Sequence, residues 1–185
     1  MSDPHAAIVS ATEQWLLKAV IGLNLCPFAK AVWAKRRVRI VVSPASTEAE
    51  LVDDLIRELE HLHAADAEVL ETTLLVHPSV LADFFDYNDF LDAADAAVEA
   101  LGLEGEIQVA SFHPHYQFAD TGPDAVENAT NRSPHPTLHL LREASITRAV
   151  ESYPDIDDIP ARNIETLRQL GREGFEALMA APTAA

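Results

Sequence analysis

Apolar positions along this chain alternate between two periods, one near four residues and one of two. Trp15, Leu16, Ala19, Leu23 and Cys26 recur at helical spacing. They follow Ser10-x-x-Glu13, a pattern in which each side chain satisfies the other's free backbone N–H, and Pro27 ends the run. The β-branched stretch "RVRIVVSP" (37–44) reads as a strand. A second capping box, Thr47-x-x-Glu50, opens a helix to about His63 with a stripe of Leu51, Leu55, Leu59 and Leu62. "TTLLVHP" (72–78) is the second strand, and a helical stretch from about 81 to 101, bent near Asn88, stops at Gly102. "EIQVASFHP" (106–114) is the third strand. From 115 to 136 all periodicity disappears, and loops of that length in compact domains are functional or disordered. Helices are expected over about 137–151 and 160–180, the second with Pro160 in its first turn. Its stripe is Ile164, Leu167, Gly171, Phe175 and Leu178, and 181–185 reads as a frayed tail.

Strands separated by amphipathic helices predict a small α/β fold over 1–185, one domain without repeats or linkers. The sheet is expected to be mainly parallel, of about three strands with room for a short extra edge strand, and covered by helices. The three strands close alike: Val42-Ser43-Pro44, Val76-His77-Pro78 and Phe112-His113-Pro114. Proline has no N–H to give a sheet, so each ends its strand. Parallel strands would bring Ser43, His77 and His113 to one rim, where open α/β sheets bind ligands.

Composition narrows the function. Of 185 residues, 48% are hydrophobic and 23% charged, as in globular chains rather than disordered ones. With 30 acidic against 13 basic residues the net charge is −17, which argues against a nucleic-acid partner. A small anionic ligand stays compatible, since a few nearby arginines outweigh a distant, screened field. The single cysteine excludes an internal disulfide and fits a reducing, cytoplasmic setting, where the sequons at Asn128 and Asn131 carry no weight. No apolar run reaches membrane length and the N-terminus does not resemble a signal peptide, so no membrane partner is expected. The six glycines form neither a dinucleotide fingerprint nor a P-loop, which disfavours hydride and nucleotide chemistry. Oligomeric state is open.

Candidate chemistry gathers in "ASFHPHYQF" (110–118). In extended backbone His113 and His115 point to one face, and His77 could join them from a neighbouring strand end. Three readings stand side by side: general acid–base use, since imidazole titrates near neutrality; a divalent-metal site of His77, His113 and His115, completed by Asp120 or His139; and hydrogen-bonded structural histidines in a turn. Cys26 follows a helix C-terminus, whose dipole does not activate a thiol, although Lys30, Lys35, Arg36 and Arg37 come soon after. Asn131, Arg132, Ser133 and His135 crowd the expected start of a helix at Pro136, which suits an anion. Within that helix His139, Arg142 and Glu143 would share one side. Asp83, Asp86, Asn88 and Asp89 read as helix entry rather than a calcium loop.

"GLNLCPFAK", "ETTLLVHP", "YNDFLDAAD", "IQVASFHPHYQFADT", "NRSPHPTLHLLREASITRAV" and "IPARNIETLRQLG" together resemble the bacterial proteins catalogued as domain-of-unknown-function family 1415. The resemblance runs from about Trp15 to about Gly171 and implies no established activity. Cys26, His77, His113, Tyr116, Asn131, Arg132, His139 and Arg142 match the family pattern, whereas Asp120 replaces a glycine and His135 a tyrosine. The leading expectation is an enzyme acting on a small phosphorylated or carboxylated molecule by hydrolysis or group transfer. His77, His113 and Cys26 would supply the chemistry, while Ser43, Tyr116, Asn131, Arg132, His139 and Arg142 would hold the substrate. No cofactor is fixed. A metal-dependent hydrolase built on the histidines is one alternative, and a non-catalytic binding or scaffold protein is the other.

Overall fold

A computed structural model describes residues 3–153 and 155–180. The expected tail at 181–185 lies outside them.

Helix α1 (Pro4–Trp15) starts six residues before Ser10, because Asp3 accepts a hydrogen bond from the N–H of His5 and Pro4 occupies the first turn. A π-helical segment, Leu16–Ile21, continues it. The short α2 (Ala29–Ala34) leads to β1 (Val38–Val42). The capping box at Thr47 and Glu50 is present and opens α3 (Glu48–Ala64). After β2 (Thr72–Val76), Asp83 caps α4 (Phe84–Ala100), which runs through Asn88 without a break. Gly102, at φ 68°, takes the left-handed position beyond it. β3 (Ile107–Phe112) precedes the 115–136 segment, whose Val126–Asn131 part is a 3-10 turn. β4 (Thr137–Arg142), α5 (Glu143–Ser152) and α6 (Ile159–Ala180) complete the described chain.

The sheet corrects the expected one: it has four strands and only one parallel pair. Its order is β1-β2-β4-β3, with β1 and β2 parallel and β4 antiparallel to both β2 and β3. The segment 137–142, expected as helix, is thus a central strand. Leu138 and Leu140, both fully buried, face one side, while His139 and Leu141 face the other. Residues three apart in a strand diverge, so His139 and Arg142 do not share a side. β3 still runs in the direction of β1 and β2, which leaves Ser43, His77 and His113 on one rim.

Each sheet face carries its own apolar cluster. On one, the leucine stripe of α3 and Tyr87, Phe90, Ala94 and Val98 of α4 close over Leu75, Ile107, Leu138 and Leu140. On the other, Trp15, Leu16, Ala19, Val20 and Leu25 pack with Leu74, Ala129 and Leu167. α6 is fixed there by the Asn163 amide, which donates to the Leu25 carbonyl at 2.9 Å. Among the described residues no helix is long and apolar enough to cross a membrane.

Arg142 braces the closed face rather than presenting a free cation. Its guanidinium donates to the carbonyls of Leu62, Ala65 and Leu70 at 2.5–3.2 Å, collecting the last turn of α3 and the entry to β2. Removing it leaves three carbonyls short of a charged donor. Arg142→Ala is therefore expected to lower unfolding free energy by about 3 kcal/mol, read from the urea midpoint. A ligand-holding role alone would leave that midpoint unchanged.

Candidate functional site

Ser43, His77 and His113 are all buried at the strand-end rim. Ser43 donates its hydroxyl to Asp54 of α3, which also pairs with Arg57, and accepts the N–H of Ala45 at 3.0 Å. His77 and His113 are both 0% exposed. Both pack against Tyr87, with ring centroids 5.7 and 5.0 Å from it. The Tyr87 hydroxyl donates to the Thr137 carbonyl at 2.8 Å and accepts the Phe112 N–H at 3.1 Å, tying α4 to the paired ends of β3 and β4. Burial pushes that phenol's pKa far up.

Both imidazoles grip the segment that joins β2 to α4. His77 Nδ1 donates to the Val80 carbonyl and His113 Nε2 to the Leu81 carbonyl, each at 3.1 Å. Carbonyls only accept, so these contacts set the tautomers. Leu81 sits at φ 59°, a left-handed conformation that side chains resist, and the His113 bond holds its carbonyl there. His113 Nδ1 accepts the His115 N–H at 3.0 Å, so both its nitrogens are engaged. His77 Nε2 is buried and has no partner among the described residues. His115 is exposed, its ring 5.9 Å from that of His113. Among the described residues no three His, Cys, Asp or Glu side chains gather as a metal site.

The remaining loop candidates are also engaged. Asn131 donates to the Ser111 carbonyl, and its own carbonyl accepts the His113 N–H. Tyr116 packs against Phe84 and Phe118. Arg132 donates to the carbonyls of Tyr116 and Pro123, and burial draws its pKa down. Asn128, fully buried, organises the loop by accepting from the Phe118 N–H and the Thr121 hydroxyl and donating to the Gly122 carbonyl.

An open chamber exists on the opposite face of the sheet. A cavity of about 680 Å³ has the sheet as its floor, from Val38, Thr72, Leu74, Ala110, Phe112, His139 and Leu141. Trp15, Leu16, Val20 and Ile21 form one wall, Cys26, Phe28, Val32 and Trp33 another, and Ile146, Ala149 and Tyr153 of the α5 side a third. Of the helices on this face, neither α2 nor α5 contributes a fully buried side chain. The π turn contributes to the wall, and π segments are frequent at functional sites. It is followed by Gly22, where a Cβ would lie 2.3 Å from the Lys18 carbonyl oxygen, so only glycine fits. Trp15, 2% exposed, stands edge-on to Phe112 at 5.1 Å. It also lines a second cavity of about 390 Å³ bounded by Arg132, Arg172, Phe175 and Met179.

Among the described residues, His139 is the only imidazole that lines the larger cavity. Thr72 Oγ1 donates to the Leu140 carbonyl at 2.7 Å and therefore receives its other hydrogen bond, also 2.7 Å, from His139 Nε2–H. The lone pair is then on Nδ1, which has no hydrogen-bond partner among the described residues. The ring is enclosed by protein and open only in part, and burial pushes its pKa down to about 4. It is neutral at physiological pH.

A family model described as "Protein of unknown function (DUF1415)" matches residues 7–177. The chain belongs to this family. No curated protein and no solved structure matches it. Of the residues named from sequence for candidate chemistry, Cys26, Lys35, His139 and Arg142 line the larger cavity of this DUF1415 chain, and Arg132 and Ser133 line the smaller one. Ser43, His77, His113, Tyr116 and Asn131 line neither. Thr72, Trp15, Trp33 and Phe112 were not singled out; their only signal is the apolar pattern that any core residue shares.

The buried rim has a pH signature. His77 titrates at about 4 in the fold, mainly through desolvation, against an ordinary 6.5 in the unfolded chain. Between those values the unfolded state binds a proton that the native state refuses, so stability falls as pH drops from 6.5 towards 4. The slope is about 1.4 kcal/mol per pH unit for each such proton. His77→Asn keeps a donor for the Val80 carbonyl but cannot titrate. Its unfolding free energy is expected to depend on pH less steeply across that window, by up to one proton, in urea titrations between pH 4.5 and 6.5.

Proposed function

We propose that this chain takes a small, largely apolar molecule into the larger cavity and that His139 exchanges a proton with it. The observation that carries this reading is a neutral imidazole, fixed in one tautomer by Thr72, with an unshared Nδ1 at the floor of an aromatic and aliphatic chamber. The volume and the mix of apolar walls with few polar groups suit a small-molecule site. A substrate hydroxyl or other acidic group placed at Nδ1 would hydrogen-bond to the lone pair, and its proton would pass to the ring as negative charge stays on the substrate oxygen beside the imidazolium. Burial that keeps the ring neutral also makes the imidazolium costly, so transfer is favoured where negative charge develops beside it. This keeps the acid–base character expected from the sequence but moves it from the strand ends to the middle of β4.

Two measurements test the reading. Both tryptophans of the chain, Trp15 and Trp33, line the cavity, as does its one cysteine. Decanol is expected to change tryptophan emission and to slow alkylation of Cys26 by iodoacetamide. Ala110→Phe, which fills the floor, should abolish both effects while the chain stays folded. If decanol acts equally on the filled variant, the cavity is not the site. Separately, ¹⁵N chemical shifts of His139 should report the Nε2–H form in the native chain. A mixture of tautomers is expected in Thr72→Val, which offers Nε2 no oxygen.

A further inference from the structure

Charge around the larger cavity runs against that of the chain. Acids outnumber bases 30 to 13 overall, yet the cavity is lined by Lys35, Arg142 and Arg148 with Glu71 as its one acid. Arg142 is spent on backbone carbonyls of the other face. Glu71 already lies between Arg37 at 3.8 Å and Arg148 at 4.0 Å, so its charge is met twice. Lys35 has no carboxylate partner among the described residues. Arg148 is 62% exposed, held only by Glu71 and by the Ser145 hydroxyl, which leaves guanidinium donors to spare. A patch of net positive charge at an apolar chamber, on a molecule of charge −17, focuses anions where the rest of the surface repels them.

We infer that the ligand of this cavity is an amphipathic monoanion, with an apolar body among Trp15, Trp33, Phe112 and Leu74 and a carboxylate-type head at Lys35 and Arg148. The inference rests on the cavity being a ligand site and adds the chemical class of the ligand. Guanidinium and ammonium groups at an exposed position offer modest attraction each, so selectivity comes from the pair together with the buried body.

The full chain is titrated at low ionic strength with decanoate, decanol and decyltrimethylammonium, following tryptophan emission and protection of Cys26 from iodoacetamide. The three share one alkyl chain and differ in head charge. Decanoate is expected to bind about fivefold more tightly than decanol, and the cation no better than decanol. The double variant Lys35→Gln, Arg148→Gln changes two side chains on the surface and should weaken decanoate about fivefold while leaving decanol unchanged. Equal binding of decanoate and decanol, preference for the cation, or an unaffected double variant overturns the head-group inference and leaves the cavity reading intact. If none of the three changes emission or protects Cys26, the cavity reading fails, and the inference with it.

Discussion

β4 is the strand on which the rest of the molecule depends. It enters the sheet against the direction of its neighbours and pairs with β2 on one side and β3 on the other, so its backbone N–H and C=O groups are shared by two ladders. At its start, the Pro136 carbonyl accepts the His77 N–H and the Thr137 carbonyl accepts the Tyr87 hydroxyl. At its end, the Arg142 side chain gathers three carbonyls from α3 and the approach to β2. Between those ends, alternation of the pleat sends Leu138 and Leu140 into the closed core and His139 into the cavity. One strand thus joins the scaffold to the proposed chemistry.

The two faces of the sheet differ in how closely their covers pack. α3 and α4 span seventeen residues each and lay continuous apolar stripes on the sheet. Four leucines of α3 are fully enclosed, and each contributes roughly 1.5–3 kcal/mol through burial. The opposite face is covered by α1 with its π turn, the six-residue α2, the ten-residue α5 and the 22-residue α6. Neither α2 nor α5 buries a side chain fully, and the cavity lies beside them. The polar side chains buried on the first face are therefore framework, while on the second a half-buried imidazole keeps an unshared nitrogen.

Local signals in the sequence were the ones that translated into structure. The Thr47–Glu50 box, the leucine stripe of α3 and Gly102 each depend on a few neighbouring residues, and each is found as expected. Ser10 and Glu13 have the same pattern but lie inside α1, because Asp3 and Pro4 start the helix first. "TLHLLR" was misread for a different reason: its leucines fit a helix as well as a strand, and pairing with β2 and β3, far away in the chain, decides between them. The common rim of Ser43, His77 and His113 could be inferred from three similar strand ends. Their enclosure could not, since it comes from Tyr87 of α4, distant in the chain, packing against both imidazoles. Cys26 and His139 stood out by residue type. Thr72, Trp15 and Trp33 did not, because a chamber is a property of how helices fail to meet, and no short stretch of sequence encodes it.

Trp15 lines both chambers, and its edge-on contact with Phe112 ties that shared side chain to the sheet. A guest that displaces this ring in one chamber therefore also alters the lining of the other.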